Sequence, residues 1–519
     1  MRFLILTGQA AYLHVEQLIT THDLQAKIVA LPVSVAAFIT PAQVQDALNA
    51  ENLPDFDLVL LPGLIPWDAG KLEKSFAIPI RKGPRNIDDL PALIQDDLID
   101  HLSTRTAADV LTLQEFAGQY RDIIKNHEIV ARQVGLPRNF ALPQSNLLIG
   151  MDLPPCIIAQ VMNATELPLE EVIDTARFFA QRGAAVIDVG GVAHQENPDK
   201  IAEIVSRIRA DLDLPVAVDS MRPAEILAGV NAGAELVLSI DLGNVGVLEA
   251  LPKDIAIVTI PTNVAAGTYF ADPVERIKVL NPLIQLCHAA GFEKILADPL
   301  LGAPVQPGLV TSLAGYFLFR HPECIGESPE DVPLLLGAEN VFEMVDMDSP
   351  GVNGLLSSMA VELQAGAVLV TEYSPKTQNA IDEFRRGIQL AYLAKEKHAP
   401  PKDLGISLLI VKSKAKNSLP LDLLLEAQVI NTISEEFVRD PAGFFKIYSN
   451  YRDGKIIAAH YANTQELLGV YASDSAESLC KFLLTQKLVT RSDHAAYLGR
   501  ELAKAEFCAK TGGIYYQED

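Results

Sequence analysis

Between Cys156 and Lys376 one pattern recurs eight times: a short Val/Ile/Leu/Ala-rich run, a polar residue at its end, then a stretch of helical spacing. From Asn163 to Glu372 the polar ends recur about every 30 residues, the length of one strand–helix–strand unit. Eight such units predict a (β/α)8 barrel, whose strand ends converge on one mouth. The helices carry their own punctuation. Pro168-Leu169-Glu170-Glu171 opens one with proline and acids suited to the positive end of the dipole, and Arg182-Gly183 closes it. Ser220 likewise precedes Arg222-Pro223-Ala224-Glu225, and Gly233 follows. Helix starts thus follow directly on polar strand ends, and their free amides are expected to face an anionic or dipolar ligand in the mouth.

The flanks alternate differently. Phe3 to Thr7, Ala26 to Leu31, Val35 to Ile39 and Asp57 to Leu61 are strand candidates, and Pro41 to Ala50 has helical spacing with proline at its start. They predict an N-terminal parallel α/β domain, Rossmann-like or flavodoxin-like, over residues 1–145, before a barrel over 150–398. Its basic segment Ile80 to Arg85 is either a solvated turn or, through Gly83, an anion-binding loop. After Pro400-Pro401 a C-terminal α+β domain is expected over 402–519. It should contain a strand from Ile406 to Val411 and a hairpin, Phe444 to Tyr448 with Lys455 to His460, around Asp453-Gly454. A final helix should run from Asp493 to Lys510, capped by Ser492 or Asp493 and closed by Gly512-Gly513, with Ala495, Leu498, Leu502, Ala505 and Cys508 facing its core. Small side chains on that helix permit close packing against a neighbour, compatible with a homo-oligomer.

Composition narrows the partners. Of 519 residues 49% are hydrophobic and 21% charged, enough for packed cores throughout. Acids (66) outnumber bases (42), and the net charge of −24 opposes nucleic acid and anionic membrane surfaces as partners. The opening Met1 to Gly8 is short for a signal peptide and no apolar run approaches the ~18 residues of a membrane span, so the expected location is cytoplasmic. Five cysteines are widely spaced without a Cys-x-x-Cys pair and read as buried thiols.

The chemistry concentrates in three aspartates. Asp188, Asp219 and Asp298 each end an apolar strand, Ala184 to Ile187, Pro215 to Val218 and Lys294 to Ala297. Each one alone is a reasonable cap for the helix that follows. Three in register around one barrel point instead to a shared site, where semi-buried carboxylates need N–H donors such as those of a flat heteroaromatic ring.

These residues resemble a known family. Asn163-Ala164-Thr165, Asp188-Val189-Gly190-Gly191, Val218-Asp219-Ser220 and Ala297-Asp298-Pro299 follow in order the strand ends of the pterin-binding barrel of dihydropteroate synthase and the pterin-dependent methyltransferases. Across its length, including Asp493 to Glu506, the chain resembles the archaeal-type dihydropteroate synthase-related proteins. The resemblance implies a pterin ligand held by Asp219 and Asp298, with Ser239 or Asp241 on strand four and Asn263 on strand five beside them. It implies Asn163, Asp188 and Lys376 as catalytic residues, with Asn163 near the reacting methylene or holding Mg2+ on a leaving pyrophosphate.

Departures from the family pattern bear on the reaction. The basic segment after strand seven reads Ala338-Glu339-Asn340-Val341, strand eight ends Thr371-Glu372-Tyr373, and the strand-two loop reads Ala193-His194-Gln195. Lys376, Arg222 and His194 are the cations that could replace those lost. Asn340, Glu343, Glu372 and Ser374 are the expected contacts for a second substrate, within an acidic stretch that also includes Asp346, Asp348 and Asn353. Three functions compete: a condensing transferase of tetrahydromethanopterin- or folate-type cofactor biosynthesis joining a dihydropterin-methyl diphosphate to an arylamine, a methyltransferase passing a methyl group from a pterin to a corrinoid or other acceptor, and a pterin-binding protein without turnover.

Overall fold

The computed structural model describes residues 1–85, 87, 90–95, 98–193, 195–402, 404, 406–412, 428, 430 and 438–517. His194 lies outside the described residues. The chain forms two compact units, Met1–Lys125 with Leu393–Val429, and Asn126–Tyr392 with Ile430–Asp519.

The first unit is built in the order β1 (Phe3–Gly8), α1 (Tyr12–Thr21), β2 (Ala26–Leu31), α2 (Pro41–Asn49), β3 (Leu58–Leu61), α3 (Gly70–Phe76), β4 (Ile80–Lys82) and α4 (Leu90–Gln95). The sheet order is β2-β1-β3-β4 and every pairing is parallel. Strand alternation sends Leu4, Leu6, Val59 and Leu61 to one face, against Val44 and Leu48 of α2 and Leu72 of α3. Phe3, Ile5, Leu58 and Leu60 pack on the other face against Val15 of α1. A sheet covered on both faces with this order is the flavodoxin-like arrangement. Helix α2 begins with a capping box between Thr40 and Gln43 and proline in its first turn.

Two expectations fail in this unit. Val35 to Ile39 is no strand; Ala36–Phe38 form a short 3-10 turn with Val35 and Phe38 exposed, because the chain must reverse there between β2 and α2. Most of the basic segment is not a solvated turn, although Arg85 at its end is exposed, and its Gly83 amide is not open to an anion. Lys82 is buried with its Nζ on Ile65 O, Arg81 pairs with Glu73, and the Gly83 amide donates to Leu61 O at 2.7 Å.

In the second unit a hairpin of β5 (Asn139–Ala141) and β6 (Leu148–Gly150) precedes the barrel. The eight barrel strands are β7 (Cys156–Val161), β8 (Val186–Gly190), β9 (Val216–Asp219), β10 (Leu236–Ile240), β11 (Ala256–Thr259), then, after a short antiparallel pair β12 (Thr262–Asn263) and β13 (Thr268–Tyr269), β14 (Ile295–Ala297), β15 (Leu334–Gly337) and β16 (Ala365–Val370). They close into a ring of parallel neighbours. Its lumen is filled by Ile158, Val186, Ala217, Leu236, Val258, Leu296, Leu335 and Ala367, together with Phe140, Leu142 and Ile149 of the hairpin segment. The hairpin plugs the N-terminal end: a Cβ on Gly366, at the start of β16, would meet Ile149 Cγ2 at 3.1 Å. Buried Glu235 clamps its turn by accepting from the Gln144 and Ser145 amides. Leu142 to Asn146, at the turn of this hairpin, therefore belong to the barrel's floor.

The remainder of this unit is a three-stranded antiparallel sheet, β17 (Phe444–Asn450), β18 (Lys455–Tyr461) and β19 (Leu467–Ser473), covered by two helices, Ala476–Thr485 and Ser492–Thr511. The predicted hairpin is present, and β19 joins it. Ile406 to Val411 form no strand; Leu409, Ile410 and Val411 are exposed and pair with no edge among the described residues. The last helix ends on Gly512 at φ +78°, as expected, but neither Ser492 nor Asp493 caps it. Asp493 instead forms an ion pair with Arg491. Its buried face is Leu498, Glu501, Leu502, Ala505 and Ala509, with Cys508 only half-buried. Among the described residues, no helix is long and apolar enough to cross a membrane.

Candidate functional site

Parity along the strands assembles the site. On β8 Val186 points into the lumen and Ile187 outward into the helix layer, so Asp188 points inward again; Ala217 places Asp219 and Leu296 places Asp298 by the same rule. Gln160 follows Ile158 in the same sense on β7. Each of the four side chains follows the last apolar lumen residue of its own strand, toward the C-terminal mouth. Asp188 faces Ala217 in the β8–β9 register and so sits two residues deeper than Asp219.

Gln160 ties two of the acids together. Its Nε2 donates to Asp188 Oδ2 at 2.8 Å and Asp219 Oδ2 at 2.9 Å, while Ser239 Oγ donates to Asp219 Oδ1 at 2.8 Å. Asp298 Oδ1 accepts from Tyr316 Oη at 2.5 Å and from the Leu300 amide at 2.8 Å. Arg276 fixes the same loop through the carbonyls of Pro299 and Leu300. A fourth carboxyl joins them: a Cβ on Gly337 would stand 3.2 Å from Glu339 Oε1 and 3.7 Å from Asp298 Oδ2. Asp188 Oδ1 and Glu339 Oε2 are buried without a hydrogen-bond partner. None of the three aspartates caps its following helix; the helices after β8, β9 and β14 start without them.

Crowding four acids in one low-dielectric mouth favours their protonated forms. Burial pushes Asp188 well above the usual carboxylate range, and the charge of Asp219 adds to it. Burial raises Asp219 against the donors Ser239 and Gln160. Asp298 is pushed up to about 6 by burial, opposed by Tyr316 and Leu300. Glu339 rises well above its usual range through burial and the charges of Asp298, Asp219 and Asp188. The cluster therefore presents carboxylate acceptors and acid O–H donors side by side, the complement of a ring edge that mixes N–H and carbonyl groups.

Other expected residues fall elsewhere. Ser239, not Asp241, meets the cluster: it adopts φ +68° where the β10–β11 register shifts, and this bulge re-aims the side chain. Asp241 is fully engaged, accepting from the amides of Gly243, Asn244 and Val264 and from Thr262 Oγ1. Asn263 caps the turn that follows it through Ala266. Asn163 is half-buried at φ +51° just past β7. Asn340 folds back on Gly337 beside Glu339, at the mouth. Glu343 and Ser374 bond each other, with Thr377 also donating to Glu343. Glu372 accepts from the Ile381 amide and, at 3.0 Å, from Tyr451 of the C-terminal sheet, so it joins barrel to hairpin. Asn353 is buried on Glu383.

The cations are likewise occupied. Arg222 donates to the carbonyls of Val192, Ala193 and Gln195, pinning the strand-two loop, and Lys376 pairs with exposed Asp346 at 3.1 Å. Among the described residues no group of three or more His, Cys, Asp or Glu side chains converges to hold a metal ion. Asn163 offers one amide oxygen, so a Mg2+ held there would take its remaining ligands from a bound diphosphate and water. Gln160 and Tyr316 were not expected from sequence, and Glu339 was read only as part of the segment that replaces the family's basic one after strand seven. Gln160 had a visible signal, a polar residue inside Ile157-Ile158-Ala159-Gln160-Val161; Tyr316 lies in the helix Leu309–Arg320 and had none.

The family profile described as pterin binding enzyme matches residues 161–346, and a second, PterinBD-DUF4346, matches residues 439–518. An uncharacterized protein of Methanocaldococcus jannaschii is 29% identical, over 100% of this chain and 98% of its own. A Ycf91-like protein of Nostoc is 33% identical over 127 residues, covering 19% of this chain and 100% of its own. Solved structures that resemble it include the dihydropteroate synthase of Yersinia pestis with a sulfonamide drug, 20% identical over 50% of this chain and 99% of that one at TM-score 0.39. That of Xanthomonas albilineans with 7,8-dihydropteroate is 17% identical over 48% and 95%, at TM-score 0.36.

Proposed function

We propose, from the match of residues 161–346 to the profile described as pterin binding enzyme, that the barrel mouth binds a pterin and transfers a group at its side-chain carbon. The observation that carries the reading is the convergence of Asp219 and Asp298, each held by fixed donors, beside two further buried carboxyls whose surroundings favour the protonated form. In this reading Asp219 and Asp298 accept from the 2-amino and ring N–H groups of the pterin, and Glu339, as an acid, donates to its 4-oxo group. Asp188 and Gln160 position Asp219 from below. Asn163 and Asn340 border the space beside the ring, where an amine nucleophile would approach.

The finer reading is condensation. An arylamine nitrogen attacks the exocyclic methylene of a dihydropterin-methyl diphosphate, the C–N bond forms, the C–O bond breaks, pyrophosphate leaves, and the amine loses a proton. Incubation of the protein with both substrates and Mg2+ tests it: coupled pterin with released pyrophosphate supports it, and neither product under saturating substrate refutes it. One observation favours a second reading. Arg222 and Lys376 are committed to loop carbonyls and to Asp346, which leaves the described residues poor in charge for a leaving diphosphate. Transfer of a methyl group from a reduced methyl-pterin to a corrinoid makes no such demand. Methylated pterin with cob(I)alamin, monitored for the methyl-corrinoid spectrum, separates the two.

A further inference from the structure

We infer that the N-terminal unit carries a second small-molecule site, independent of the barrel, for a flat, largely apolar ring bearing one anionic group. Its strand order, β2-β1-β3-β4, reverses direction between β1 and β3, and α1 and α2 cover opposite faces. In such sheets the two connections leaving the reversal point diverge and open a crevice beyond the carboxyl ends of those strands. A cavity of about 360 Å³ lies there, bounded by Leu6 and Thr7 of β1 and by Leu60 and Leu61 of β3. That volume falls within the range of ligand pockets.

Two glycines close the loops around it. A Cβ on Gly8 would come 2.8 Å from Ser34 O, and one on Gly63 would come 2.5 Å from Gly83 O, so the turn after β1 and the turn after β3 each press against a neighbouring loop. The lining decides the chemistry. Leu64, Ile87, Leu90 and Val35 supply apolar walls, while His14, Ser34 and Arg85 supply the polar rim. The amides of Gln9 and Ala10, which a phosphate cradle would need, donate instead to Val33 O and Ser34 O. A diphosphate is therefore a poor match, and an aromatic ring with a single acid group near Arg85 is a good one.

The full-length protein tests this with two probes of the same ring shape, 8-anilinonaphthalene-1-sulfonate and uncharged N-phenyl-1-naphthylamine. The chain has one tryptophan, Trp67, in this unit, so a probe bound in the cavity quenches its emission by energy transfer. Saturable binding with quenching is expected, weakened about tenfold or more for both probes by Ala10→Phe, which fills the cavity from an exposed position. Arg85→Ala should weaken the sulfonate about fivefold and leave the neutral probe within about twofold. Circular dichroism verifies that both variants fold. Absence of saturable quenching, or binding indifferent to Ala10→Phe, overturns the site; an equal effect of Arg85→Ala on both probes overturns the anion assignment. Titration of Ala10→Phe with 6-hydroxymethylpterin reads the barrel separately, and unchanged affinity there keeps a failure of this site distinct from a failure of the pterin reading.

Discussion

Replacing Gln160 by Leu removes one side chain of nearly the same volume and two hydrogen bonds, at 2.8 Å to Asp188 and 2.9 Å to Asp219. An unsatisfied buried acceptor costs about 1–3 kcal/mol, more when charged. Asp219 keeps Ser239 as a donor, so its share falls at the lower end. Asp188 is 0% exposed and its Oδ1 already lacks a partner, so its share falls at the upper end. The expected loss is about 3–4 kcal/mol, a large fraction of the ~5–15 kcal/mol that ordinary domains possess. The loss has a pH signature. Both folded carboxyls already titrate above their unfolded values, so each contributes stability while protonated and loses it as pH rises through its folded pKa. Removing the donor raises those folded pKa values further, and the penalty should grow from pH 5 to pH 8. Urea unfolding of wild type and Gln160→Leu, followed through the barrel transition at both pH values, measures it. A penalty below about 1 kcal/mol at pH 8, or one equal at the two pH values, refutes the reasoning.

Asp298→Asn should lower pterin affinity about 10- to 150-fold at pH 8, the worth of one charge-assisted bond. In wild type the ionised Asp298 is the acceptor, so affinity should rise with pH through about 6, a step that calorimetric titration should find missing in the variant. Glu339→Gln removes the fourth acid and keeps a neutral donor; it should bind pterin at least as tightly as wild type once the pH is high enough to ionise Glu339, whose charge would repel Asp298 and Asp219. A fall in affinity under those conditions would show that the ligand needs the charge of Glu339. Tyr451→Phe deletes the 3.0 Å bond to Glu372 and should destabilise the second unit by about 1–2 kcal/mol in denaturant while leaving pterin affinity unchanged; weaker binding would move Glu372 to the ligand.

The barrel was legible because its strands are short apolar runs at a fixed interval, and the aspartates because inward and outward positions alternate strictly. Ile187-Asp188, Val218-Asp219 and Ala297-Asp298 each place the acid on the same parity as the lumen residue two positions earlier. Strand four escaped because Ser239 adopts a left-handed conformation that breaks that alternation, leaving Ser239 and Asp241 equally plausible in one dimension. The hairpin floor escaped because Leu142 to Asn146 has the composition of a linker, and its clamp, Glu235, lies about 90 residues away. The acidic stretches after strands seven and eight read as substrate contacts but divide in space. Glu339 turns to the cluster, Glu343 to Ser374 and Thr377, and Glu372 to Tyr451. Sequence spacing carries no signal for such partner choices, which depend on where helices return to the mouth.

Calorimetric titration of 6-hydroxymethyl-7,8-dihydropterin into wild type and into an Asp219→Asn, Asp298→Asn double variant bears most directly on the pterin site. Saturable one-to-one binding by wild type, abolished in a double variant that still folds, is the predicted result. Equal binding by the two proteins, or none by wild type, would contradict the assignment of the barrel mouth.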